Sequence, residues 1–123
     1  MNEEPTLKRV RLSTMSAKMA REVGYVAPEL IVMAPKEEKR LLFSFGVPFR
    51  LRRLLVEETV TVTSIRTANI ENLIGPLSSK FLFDNALVLP FVYPNQLLSI
   101  GFRNSTNKQI IFKFDALGDF EVA

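Results

Sequence analysis

The stretch from Lys80 to Asp115 constrains the fold more than any other part of the chain. Apolar runs there are cut at short intervals by residues that favour turns. Phe81-Leu82-Phe83 is followed by Asp84-Asn85, Leu87 to Tyr93 by Pro94-Asn95, and Leu97 to Arg103 by Asn104-Ser105-Thr106-Asn107, before a last run from Gln109 to Phe114. Asn, Asp and Ser side chains bond their own backbone and the proline ring fixes φ, so each break predicts a reversal. Within the runs the period is two. Leu98, Ile100 and Phe102 fall on one face with Ser99, Gly101 and Arg103 on the other, and Ile110, Phe112 and Phe114 alternate with Ile111, Lys113 and Asp115. Short alternating strands at this spacing predict a β-sandwich or barrel, not a β-α-β enzyme.

The same reading extends upstream. Thr59 to Ile65 is β-branched almost throughout, with Val60 and Val62 opposite Thr59, Thr61 and Thr63. Leu41 to Phe45 is a strand closed by Gly46 and Pro48. Phe49 to Val56 is another, with Leu51 and Leu55 on one face and Arg50, Arg52 and Leu54 on the other. Arg53 falls on the apolar face of that strand, which predicts a break in register or a bulge. Arg66 to Ser79, with Asn69, Asn72 and Gly75-Pro76, reads as a long connection, either a functional loop or a cover over one end of the sandwich. Pro90 makes the Leu87–Tyr93 run an edge strand or two short strands.

Before Leu41 the core signals thin out. Leu7 to Leu12 alternates apolar and basic residues as an edge strand or extended arm would. Ser13 to Val23 predicts one short helix, with Ser13 as N-cap, Met15, Met19 and Val23 four apart, and Gly24 just past its end. Tyr25 to Pro35 is apolar and broken by Pro28 and Pro35. Lys36-Glu37-Glu38-Lys39-Arg40 reads as a solvated loop. The expected organisation is therefore an N-terminal arm over residues 1–40 and an all-β sandwich over residues 41–123.

Composition removes most catalytic chemistry. The 123 residues are 47% hydrophobic and include ten Phe, enough for one real core. There is no Cys, hence no thiolate nucleophile and no Cys-bound zinc, and no His, the commonest general base and metal ligand. A Ser-His-Asp triad is impossible. Asp84, Asp115, Asp119 and Glu121 are the only carboxylates near the C-terminal strands, and no loop gathers them as a calcium site requires. No catalytic residue, cofactor or metal is expected, and the apolar runs are interrupted by Pro90, Pro94, Asn95 and Gln96, which argues against a membrane span.

Charge is uneven. Residues 1–53 carry 11 Lys/Arg against 6 Glu, and residues 54–123 carry 5 Lys/Arg against 7 Asp/Glu. Lys8, Arg9 and Arg11 could contact nucleic-acid phosphates, although Glu3 and Glu4 offset them and no aromatic is interleaved. Arg50, Arg52 and Arg53 form the densest basic cluster and suit carboxylates of a neighbouring subunit. Leu30, Ile31, Val32 and Met33, with Val26, are the apolar residues of the arm expected to bury against partners. Phe120 and Val122 form an apolar tail that docks a partner or closes a sheet edge. Deleting residues 1–35 is then expected to leave a folded domain that assembles poorly. A carbohydrate-binding sandwich is disfavoured by the absence of Trp and by only two Tyr.

Four features run together. Leu42-Phe43-Ser44-Phe45 precedes a Pro and another strand. Val62 to Asn69 leads toward Gly75-Pro76-Leu77. Phe91-Val92-Tyr93-Pro94-Asn95-Gln96-Leu97 precedes a strand ending in Asn104-Ser105-Thr106, and Ile111-Phe112-Lys113-Phe114 runs on to Leu117-Gly118. With these, Leu41 to Gly118 resembles the small single jelly-roll proteins in the shells of bacterial viruses. The resemblance covers about two thirds of the chain and leaves residues 1–40 outside. It implies a single jelly roll and a non-enzymatic vertex, minor capsid or cement protein. Such a protein is made in the host cytoplasm, resides in the virion, and contacts other capsid proteins or further copies of itself. The alternative is a nucleic-acid-binding module that uses the basic N-terminal half, and the two meet if the arm touches a packaged genome.

Overall fold

The computed structural model describes residues 6–68, 70–77 and 89–122. Among the described residues nine strands and one α-helix follow in order: β1 (Thr6–Arg11), α1 (Ala17–Val23), β2 (Ile31–Met33), β3 (Glu38–Phe43), β4 (Phe49–Leu54), β5 (Val60–Thr67), β6 (Ile70–Leu77), β7 (Leu98–Asn104), β8 (Ile110–Phe112) and β9 (Ala116–Val122). The described chain is mostly β, and its antiparallel sheets have the orders β1-β9-β4, β2-β8 and β3-β7-β5-β6, compatible with an all-β sandwich. The expected strand Phe81–Phe83 and the first two residues of the next run, Leu87 and Val88, lie outside the described residues. Farther along that run, Val92 makes only a bridge to Phe49.

Phenylalanines join the sheets in two groups. Phe45, Phe49 and Phe120 stack at centroid distances of 4.3 to 5.6 Å beneath Tyr25. Phe43, Phe102, Phe112 and Phe114 form the second group, at 4.5 to 6.2 Å. Offset and edge-to-face rings suit the aromatic quadrupole and fill the space between sheets.

The leader belongs to this core, which corrects the expectation of an arm lying apart over residues 1–40. β1 pairs with β9 along its whole length and β2 pairs with β8. Leu12, Val23, Tyr25, Ile31 and Met33 are buried with the sandwich residues. The helix begins later than expected because Ser16, not Ser13, caps it: the Ser16 hydroxyl accepts from the Met19 N–H at 3.1 Å. Ser13 instead turns to Asp115, its N–H donating to Oδ1 at 3.0 Å and its hydroxyl to Oδ2 at 2.8 Å. Gly24 closes the helix at φ 71°. A Cβ there would lie 2.7 Å from the Gly46 nitrogen, where Gly46 donates to Val23 O. Both the left-handed backbone and the close approach require glycine.

Four other expectations change. The charged run is not all loop, since Glu38, Lys39 and Arg40 open β3, and Arg40 donates to Ser99 Oγ at 2.6 Å and to the Ser64 hydroxyl. The long connection is largely strand. Thr67 pairs with Ile70 across a tight reversal in which Ala68 sits at φ 53°, and β6 returns along β5. Pro76 is tolerated because β6 is the sheet's edge among the described strands and the register slips there: Ser64 faces Ile74 while Val62 faces Leu77. The irregularity expected at Arg53 is present, with Leu51 opposite Gly118 and Arg53 opposite Leu117, so Arg52 is the extra residue. The bulge reverses the faces beyond it, and Leu54 is buried where Leu55 was expected. Finally, the C-terminal tail is a central strand. β9 runs between β1 and β4, and Phe120 is fully buried.

Candidate functional site

Antiparallel partners share a face of the sheet, so the register of β1-β9-β4 fixes which side chains meet. Arg9, Asp119 and Arg50 form one row, and Arg11, Leu117 and Arg53 the next. The bulge residue Arg52 brings Nε to 3.9 Å from Asp119 Oδ2, which adds it to the same face. The two basic clusters expected from the sequence, far apart along the chain, therefore meet on one surface. Lys8 does not join them. It pairs with Phe120 and lies on the opposite side, in a concavity lined by Lys18, Glu22 and Val122.

Two buried carboxylates organise this face. Asp119, 3% exposed, accepts from Arg9 Nε at 3.0 Å and from Arg50 Nη2 at 3.1 Å. Asp115 accepts from Arg11 Nε at 2.6 Å, from Ser13, and from the Ala116 N–H at 2.9 Å. Burial pushes both carboxyls up, but the hydrogen bonds from Arg9 and Arg50 on Asp119, and from Arg11, Ser13 and Ala116 on Asp115, outweigh it and hold both below the usual carboxylate range. The same hydrogen bond and charge raise Arg9. Both acids are thus committed to arginines, an arrangement for charge and shape. Asp84, named with Asp115 among the C-terminal carboxylates, lies outside the described residues. Among the described residues no three acidic side chains gather as a metal site would.

Arg9 and Arg11 bond their aspartates through Nε, so their Nη groups take no part in those bonds. Arg9 and Arg11 are about half exposed, at 54% and 55%. Aromatic residues border the face on the β4 side. Phe49 and Val92 exchange backbone hydrogen bonds at 2.7 and 2.9 Å, which lays residues 91–93 beside β4. The Arg50 guanidinium carbon lies 4.8 Å from the Phe91 ring centre, and Tyr93 is 50% exposed. The sequence had no sign of this proximity, because Phe91 and Arg50 are separated by most of the sandwich.

A second surface is apolar. Val32 and Ile111 are direct partners across β2-β8 and both are exposed, Ile111 at 60%, with Leu30 at 63%. An open groove of about 540 Å3 runs from Leu30 and Val32 to Lys39 and Leu41 on β3. Of the other residues expected to meet partners, Ile31, Met33 and Phe120 are buried in the chain's own core and Val122 is partly buried against it. The cause is period two: in β2 only alternate residues can face out, so Val32 does and its neighbours do not.

Among the described residues no helix is long and apolar enough to cross a membrane. Comparison with known proteins yields no matching family model, no matching curated protein and no matching solved structure.

Proposed function

We propose that this chain is a non-catalytic structural protein of a viral particle, a single jelly roll that serves as a vertex, minor capsid or cement component in the virion. The observation that carries this reading is the exposed ladder of Leu30, Val32 and Ile111 beside an open groove. Monomeric soluble proteins seldom leave contiguous apolar surface uncovered, and such patches mark contact sites. Fully burying a Val, Leu or Ile side chain contributes about 1.5–3 kcal/mol, so three together supply a useful share of a subunit contact. Both buried carboxylates being tied to arginines favours a rigid block over a reactive cleft. The strand-and-turn order from Leu41 to Gly118 adds the resemblance to phage shell proteins. Further copies of the chain, or other shell proteins, are the partners.

Light scattering on the purified protein at low and high salt tests this. A discrete oligomer that survives high salt is expected, and the double variant V32D/I111D is expected to be a folded monomer. A parent protein that remains monomeric at every salt concentration would count against self-assembly through this ladder.

A further inference from the structure

We infer that the outer face of the β1-β9-β4 sheet binds single-stranded nucleic acid, with its guanidiniums on the phosphates and Tyr93 at its border on a base. The inference is independent of the assembly reading, which rests on the opposite feature of the molecule, the apolar ladder of β2 and β8.

Three observations carry it. The first is charge. Arg9, Arg11, Arg50, Arg52 and Arg53 share the face with Asp115, Asp119 and Glu121, and the concavity at its Arg11 end adds Lys113, Glu57 and Glu58, so among these described residues six cations stand against five carboxylates. The second is geometry. Asp119 and Asp115 hold Arg9 and Arg11 by Nε, and among the described residues their Nη atoms have no partner. A guanidinium already held through Nε keeps its Nη donors for an anion with little further loss of side-chain freedom. Arg9 and Arg11 are two residues apart on one strand, about 6.8 Å, a spacing that suits successive phosphates of an extended strand. The third is the aromatic border. Sequence-independent single-strand binding combines a basic track with rings on which bases stack. The basic arm by itself lacks such rings, and the fold supplies them by laying Phe91 against Arg50, with the exposed Tyr93 two residues farther along the same segment.

The test is fluorescence anisotropy of a labelled oligouridylate titrated with the full chain between about 50 and 200 mM salt. Single-strand binding loses affinity with a log–log slope near 0.7 per phosphate contact, so three to four contacts give a slope of about −2 to −3. The variant R52Q/R53Q spares Arg9, Arg11 and Arg50, the three arginines that hydrogen-bond the buried aspartates. It is expected to bind about tenfold more weakly with a shallower slope. Tyr93→Ala is expected to lose at least about fivefold with the slope unchanged. Thermal melts confirm that both variants are folded. Absence of salt-dependent binding overturns the inference. So does an unchanged affinity in Tyr93→Ala, equal affinity for duplex, or competition by polyglutamate as effective as by unlabelled oligouridylate, which would make the face a dock for an acidic protein.

Discussion

Gly118 has a role that its neighbours in β9 do not share. It faces Leu51 on β4 and Val10 on β1, and the Phe49 ring lies directly over its Cα. A Cβ would strike Phe49 Cε2 and Cζ and sit 2.9 Å from Arg50 O. Phe49 is fully buried among Phe45 and Phe120 and cannot swing aside. Gly118→Ala is therefore expected to destabilise the protein by roughly 1–3 kcal/mol or more, the usual range for overpacking. Urea unfolding of the two proteins measures it, and an unchanged midpoint would mean the ring is mobile. Asn104 shows the same gap between residue type and role. Its type reads as a turn residue, and Thr106 does bond its Oδ1 at 2.9 and 2.7 Å. Yet it is fully buried, and its amide nitrogen reaches Ala34 O at 2.9 Å and Lys108 O at 2.7 Å, fastening the end of β2 to the loop before β8. Nothing in the local pattern distinguishes a solvated turn Asn from one that ties two segments together.

At the scale of elements, the strands with unbroken periodicity were legible. β5 and β7 lie where β-branched and alternating residues put them, and α1 ends at Gly24 as its sequence implies. The elements that were not legible break their own pattern. β6 contains Gly75-Pro76, and β9 is flanked by Asp115 and contains Gly118 and Asp119, residues that read as loop. Each is made a strand by its neighbours: β6 by an edge position that needs no proline N–H, and β9 by arginines on both flanking strands that neutralise Asp119. The leader follows the same logic. β2 supplies Ile31 and Met33 to the core, α1 supplies Val23, and the segment between them supplies Tyr25. Removing residues 1–35 takes away all four along with the β1–β9 ladder. Each large buried side chain contributes about 1.5–3 kcal/mol, which together approaches or exceeds the whole stability of a domain this size. The truncated chain is expected to be unfolded by circular dichroism, whereas retention of a cooperative melt would restore the leader to the status of an appended arm.

For the whole molecule, ionisable groups bound the pH range of the fold. Asp115 and Asp119 have depressed values in the folded chain. Their contribution is present above the ordinary carboxylate value of about 3.9 and disappears as pH falls through the lower folded values. Tyr25 limits the other side. Burial, helped by the negative charge of Asp115, pushes its hydroxyl up to about 12. A raised acid contributes stability in full below its unfolded value near 10 and loses it as pH rises toward 12, a change on the order of 2–3 kcal/mol. The melting temperature is thus expected to hold across the neutral range and to fall below about pH 4 and above about pH 10. Thermal melts against pH read both limbs. A temperature that stays flat far below pH 4 would mean that the two aspartate clamps do not form, and a Tyr93→Phe variant isolates the Tyr25 titration by ultraviolet absorbance.

Local chemistry determined what this chain could not be and what its segments prefer. Without His or Cys it lacks the usual nucleophile and base pairings, and its alternating, turn-punctuated runs favour short antiparallel strands. Those preferences act over a few residues, and so periodicity can read them. Only the tertiary structure decided that Arg9, Arg11, Arg50, Arg52 and Arg53 meet around Asp115 and Asp119, that Phe91 closes over Arg50, and that the leader is core. These contacts depend on strand order and on the one-residue slip at Arg52. Strand order is set by which apolar faces bury together across the whole chain, and a bulge reverses every face beyond it, so neither leaves a mark at the residues it brings together.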